Sequence, residues 1–181
     1  MSRASQVIVL AEDAMHQRFA RRYLDRLGHS NHDVRFEPLP AGRGCGEQWV
    51  REHYAQAVKA CRWRSKRAAT ALVVVIDADR GDTGRRLRQF EEALESARES
   101  PRDGADKIAH FVAKRNIETW ILFLAGRDVD EDSDYSHEAI SGRQIRDAAA
   151  AFHEWTRPNT PQPRRSIPSL LAAVPEARRL E

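Results

Sequence analysis

The stretch Ala71 to Arg86, ALVVVIDADRGDTGRR, decides how the rest of the chain is read. Ala71 through Ile76 is an unbroken apolar run rich in β-branched residues, which is what a parallel strand covered on both faces requires. Asp77, Asp79 and Asp82 follow among glycines and arginines, and Leu87, Phe90, Leu94 and Ala97 then share one helical face until Pro101 and Gly104 end it. Asp82, directly before Thr83, reads as the cap of that helix. The other two carboxylates pose the question of whether this strand end is a metal site or a salt-bridged edge.

Working outward, QVIVLA (Gln6 to Ala11) reads as a second buried strand. Glu12 and Asp13 then open an amphipathic helix running to about Leu27, with Met15, Phe19, Tyr23, Leu24 and Leu27 on its apolar stripe. DVRFEPL predicts a short strand near the sheet edge, because Pro38 cannot donate to a ladder. After the glycine-rich AGRGCG, Glu47 to about Cys61 predicts a helix, followed by a basic loop, RWRSKR. KIAHFVA is the fourth strand. NIETWILFLAG is a short apolar helix, DVDEDSDYSHE an acidic loop, and Glu138 to about Trp155 a further helix. TRPNTPQPRRSIPS, with four prolines, is an extended connector to a last short helix.

The order β-α-β-α-β-α-β with right-handed crossovers predicts an α/β three-layer sandwich around a mainly parallel four-stranded sheet, plus C-terminal helices. Residues 1–126 form the expected catalytic core, and 127–181 a helical extension packed on it, with the proline-rich connector at 156–168.

With 181 residues the chain can bury a real core, and 41% hydrophobic content in ordered periodicity excludes a disordered polyampholyte despite 31% charged residues. No apolar run reaches membrane-spanning length, so the expectation is a cytoplasmic protein with no membrane partner. Cys45 and Cys61 lack zinc-knuckle spacing and read as reduced, buried thiols. The seven histidines are dispersed without a zinc-hydrolase spacing; His16, one turn into the first helix beside Glu12, could approach the site, but a surface histidine is the preferred reading. A net charge of +3, with arginine outnumbering lysine, favours a phosphate-rich partner.

In sheets of this kind chemistry gathers at the carboxyl ends of the strands. Glu12 ends the first strand, Asp77 and Asp79 the third, and Lys114 the fourth, with Glu118 one turn later. Residues i and i+2 of an extended chain point the same way, so Asp77 and Asp79 could converge on a hard cation. The rival reading is a salt-bridged edge using Arg80, Arg85 and Arg86. Arg43 in GRGCG, Arg62, Arg64 and Lys66 in RWRSKR, and Arg80, Arg85 and Arg115 are the candidate nucleic-acid contacts, against the alternative that exposed basic loops are merely solvated. A phosphatase built on D-x-D is disfavoured because Gly81 stands four residues after Asp77.

Glu12 in VIVLAED, the Asp-x-Asp of VVVIDAD and the later AKRNIETWIL resemble the Toprim fold of topoisomerases, primases and overcoming-lysogenization-defect nucleases, and especially small stand-alone Toprim proteins of bacterial defence systems. The resemblance covers Gln6 to Gly126, about two-thirds of the chain, and departs from the family pattern at Asp13, where glycine is usual. It implies an endonuclease dependent on Mg2+ or Mn2+, acting on DNA or RNA, with an ABC-type ATPase as possible partner and a possible homo-oligomer. Glu12 would be metal ligand or general base, Asp77 and Asp79 metal ligands, Lys114 a charge stabiliser and Glu118 a second-metal ligand. The alternatives are a Toprim-type RNA-processing ribonuclease and a catalytically silent adaptor that binds a partner protein.

Overall fold

A computed structural model describes residues 3–40, 46–79, 82–161 and 165–180. Its elements run β1 (Gln6–Ala11), α1 (Ala14–Arg26), β2 (Val34–Phe36), α2 (Gly46–Ser65), β3 (Thr70–Asp77), α3 (Thr83–Ser96), β4 (Ile108–Ala113), α4 (Ile117–Leu124), α5 (Gly142–Thr156) and α6 (Pro168–Arg178). The four strands form one all-parallel sheet in the order β2-β1-β3-β4. Every residue of β3 is buried, as its unbroken apolar run requires of an interior strand.

Alternation along the strands sends side chains to two cores. Val7, Val9, Val73, Val75 and Phe111 meet α1, α4, α5 and α6, whereas Ile8, Leu10, Leu72, Val74 and Ile76 meet α2 and α3. The first core is dominated by aromatic rings: Phe152 lies within 6.1 Å of Phe19, Tyr23, Phe111 and Trp120, and Phe19 meets Trp120 edge to face at 6.3 Å, as Tyr23 meets Phe111 at 5.7 Å. Such pairs each contribute ~1 kcal/mol beyond the area they bury. Phe152 comes from α5, so the C-terminal extension shares the core of the sheet. On the outer side of β4, Glu176 of α6 accepts the His110 backbone N–H at 2.9 Å, and Arg102 donates to the Ile108 carbonyl at 2.8 Å.

Several local expectations shift. The helix expected to stop near Cys61 continues to Ser65, so Arg62 and Arg64 are helical; Arg62 is committed to Asp106 and to the carbonyls of Ser100 and Pro101. α5 starts at Gly142, not Glu138, because Ser141 and Gln144 form a reciprocal capping box there. Leu87, expected on the buried face of α3, is 36% exposed, and Arg86 turns inward in its place. Trp120 is fully buried and Cys61 is a buried free thiol, as expected; Cys45 lies outside the described residues. Among the described residues, no helix is long and apolar enough to cross a membrane.

Candidate metal centre

The strand order fixes where a site can form. From β1 the chain moves outward to β2, then crosses back under the other face of the sheet to β3, so neighbouring β1 and β3 send their following helices to opposite faces. The resulting crevice at their carboxyl ends is where open parallel sheets bind ligands. Ala11 pairs with Val75 in the ladder, which brings Glu12 level with the end of β3. There the Glu12 carboxylate accepts the Asp77 backbone N–H at 3.0 Å.

Gly46 allows this placement. A β carbon on Gly46 would collide with the Glu12 carbonyl oxygen and lie 2.7 Å from its Cγ, so the start of α2 can press against Glu12 only as glycine. Asp13 caps α1, its carboxylate accepting the backbone N–H groups of Met15 at 2.7 Å and His16 at 3.0 Å. Asp82 caps α3 in the same way.

His16 is the residue for which sequence reasoning preferred the surface over the site, and the structure reverses that preference. Read as a surface histidine, it is 1% exposed, with Nδ1 2.7 Å from Asp13 and Nε2 3.0 Å from Asp77. The signal available was its position one helical turn after Glu12 on a helix that starts at the strand end; its burial depends on Asp77, 61 residues away.

Asp77, Asp79, Glu12 and Glu118 line one open cleft of about 640 Å³, together with Asp13, Arg115 and Asn116. Asp79 does not continue the pleat of Asp77 as an extended Asp-x-Asp would. β3 ends at Asp77, and Asp79 turns into the left-handed region at φ 55°, which aspartate tolerates better than most residues. Its carboxylate, 60% exposed, faces Arg86 at 3.6 Å and also lines a second cleft of about 350 Å³ containing Arg51, Arg85, Arg86 and Gln89. Arg86 donates to the Asp77 carbonyl at 3.2 Å and pairs with Glu47, bracing the turn from below.

The other candidates scatter. Lys114 is 2.7 Å from Asp132 of the acidic loop and is not among the residues lining the cleft; Arg115, whose guanidinium is 3.4 Å from Asp134, lines it instead. Arg62, Arg64 and Lys66 lie near the start of β3, since Ser65 donates to the Thr70 carbonyl at 3.2 Å. That is the edge of the sheet opposite Asp77, roughly 20 Å away along a strand of this length. Arg85 faces the second cleft, and Arg43 and Arg80 fall outside the described residues.

Burial holds Glu12 up at about 7 in spite of the opposing His16, with Asp77 and Asp79 pushing in the same direction. Burial likewise lifts Glu118 to about 7, reinforced by Asp77, and raises Asp79 and Asp77 above the usual carboxylate range. Burial opposes charge on His16 as well, but Asp77 and Asp13 on either side hold the imidazole well above its ordinary value. Asp13 is driven down to about 2: burial works against this, and the hydrogen bond from His16 overcomes it.

The chain matches no protein-family model, no curated protein and no solved structure.

The donor set suits a divalent cation. Glu12, His16 and Asp77 each offer a ligand atom, all within 4.8 Å of one another, and Glu12 and Asp77 share their cleft with the carboxylates of Asp13, Asp79, Glu118 and Asp134. Carboxylates that burial makes reluctant to ionise are stabilised by a cation.

Proposed function

We propose that the protein is a metal-dependent endonuclease that hydrolyses phosphodiester bonds in nucleic acid. The observation that carries this reading is the convergence of Glu12, Asp77, Asp79 and Glu118, from the ends of β1 and β3 and the first turn of α4, on one cleft at the crevice of a parallel sheet. The element order, the glutamate after β1 and the Asp-x-Asp after β3 are the features that resemble Toprim nucleases, and they support the same reading.

A bound divalent cation would supply activated water and neutralise charge on the phosphoryl oxygens. Glu12 and Asp77 would hold such a cation, or Glu12, on the same cleft wall, would accept the proton of the attacking water. Arg115, on the wall of the cleft, meets a non-bridging phosphate oxygen. Asp79 separates this cleft from the arginine-lined one, so a polynucleotide whose scissile phosphate sits over Asp77 can place a neighbouring phosphate near Arg85. A role as effector of a defence system alongside an ATPase belongs to the same proposal and rests on the Toprim resemblance alone.

One observation favours a second reading. His16 already pairs with Asp77 and Arg86 with Asp79, so the carboxylates are partly neutralised by the chain itself, as in a catalytically silent adaptor. Cleavage of plasmid DNA and of tRNA by wild type, Glu12→Gln and Asp77→Asn, in Mg2+, in Mn2+ and in chelator, separates the two. Metal-dependent cleavage lost in both variants supports the nuclease, and preference between the substrates distinguishes a DNA endonuclease from an RNA-processing enzyme. Equal activity in all three proteins sinks the assignment.

A further inference from the structure

We infer that His16 Nε2 is a nitrogen ligand of the cation, so that the centre takes a first-row transition dication such as Mn2+ in preference to Mg2+. The inference rests on the metal reading above and adds to it the identity of a ligand and the class of metal.

Three features of the imidazole carry it. First, its Nε2 is 3.0 Å from the Asp77 carboxylate oxygen. Adjacent ligand atoms on a dication with bonds of ~2.1 Å at right angles lie roughly 3 Å apart, so the two atoms already have the spacing of neighbours in one coordination shell. Second, the ring cannot swing away. Nδ1 is held by Asp13 at 2.7 Å, and Asp13 is itself fixed by capping α1, which aims Nε2 at Asp77. A carboxylate on the far ring nitrogen is the usual support of a metal-binding histidine, because it keeps a proton on that nitrogen while the cation takes the place of the proton on the other. Third, a Glu12 carboxylate oxygen, arriving from the end of a different strand, lies within 4.8 Å of both, giving one nitrogen and two oxygen donors.

Mg2+ favours oxygen ligands and retains its waters, whereas imidazole nitrogen gains more from the transition metals. An all-carboxylate centre, as the sequence alone suggested, would carry no such bias. Histidine at position 16 therefore separates this site from a plain Glu and Asp-x-Asp arrangement.

The test uses the full chain, stripped with chelator and titrated with Mn2+ or Mg2+ by calorimetry, with pulsed EPR of the Mn2+ form. Mn2+ is expected to bind at least ~10-fold more tightly than Mg2+ and to show nitrogen coupling from one directly bound imidazole. His16→Gln should abolish the coupling and bring the two affinities within about 2-fold. Glu12→Gln, which leaves His16 untouched, should also remove the nitrogen-coupled Mn2+. That variant locates the signal in this cleft even if His16→Gln does not fold, since His16 is the one histidine in the cluster among the described residues. Tight Mn2+ binding lost in Glu12→Gln but without nitrogen coupling would overturn the inference and leave the metal reading standing. Absence of Mn2+ and Mg2+ binding would overturn both.

Discussion

Glu12→Gln is expected to stabilise the metal-free protein, by an amount that grows with pH. Burial, aided by Asp77 and Asp79, raises Glu12 from an ordinary 4.5 to about 7. Between those values the unfolded chain has released the proton while the folded chain still holds it, so native stability falls as pH rises and levels off above the folded value. At ~1.4 kcal/mol per pH unit, the loss comes to about 3 kcal/mol above pH 7. Glutamine keeps the oxygen that accepts the Asp77 backbone N–H and removes the ionisation. The two proteins should therefore be nearly equal in stability near pH 4.5 and differ by about 3 kcal/mol at pH 8, or roughly 6–12 °C in Tm for a chain of this size. Urea and thermal unfolding followed by circular dichroism in chelator, across this pH range, give the comparison, and the difference between variants cancels the other titrating groups. Saturating Mn2+ should reverse the order, raising the wild type and leaving the variant unchanged. A difference independent of pH, or a variant less stable than wild type at pH 8, would refute the claim that Glu12 is held charged at a cost in the chelator-treated protein.

Gly46→Ala is expected to cost ~1–3 kcal/mol and to weaken cation binding, because its β carbon displaces Glu12; unchanged stability and unchanged calorimetry would show that this contact does not position the carboxylate. Ser169→Ala removes the hydroxyl that accepts from Trp120 Nε1 at 2.7 Å and donates to Glu131, stranding buried polar groups at a cost of ~1–3 kcal/mol in urea titration. Arg85→Ala should weaken binding to nucleic acid and reduce its salt dependence by about one ion, whereas Lys66→Ala, at the opposite sheet edge, should not. Equal losses in the two would contradict the assignment of the arginine cleft to the substrate path.

Fold and site differ in how far they can be read from the residues. The run from Ala71 to Ile76 is apolar at every position, so its burial on both faces needs no tertiary information, and Glu12 and Asp77 inherit their placement from the strands they end. Asp82 and Asp13 are legible as caps because capping acts over two or three residues. Contacts set by distant chain are not. His16 is buried by Asp77, and Lys114 turns aside because the acidic loop returns Asp132 to it; neither partner is near in sequence. Asp79 departs for a different reason: the pleat ends two residues earlier, at Asp77, and a single left-handed residue redirects its carboxylate towards Arg86. The extension of α2 through Ser65 reflects tertiary anchoring of Arg62 by Asp106, which a basic run by itself does not announce.

The pairing of Arg102 and Glu176 with the outer backbone of β4 also governs how the molecule can associate with itself. Two bonds that an incoming strand would need, at the Ile108 carbonyl and the His110 N–H, are already satisfied by side chains locked in an ion pair with each other. A guest strand must break that pair and lift α6 before gaining anything, so continuation of the sheet into a second copy is blocked on this flank. The opposite flank is β2, three residues long, which offers too little ladder to hold two chains together. Among the described residues, helix faces and loops are therefore the surfaces open to a second copy, and a dimer built on them leaves the carboxyl-end cleft clear of a shared sheet.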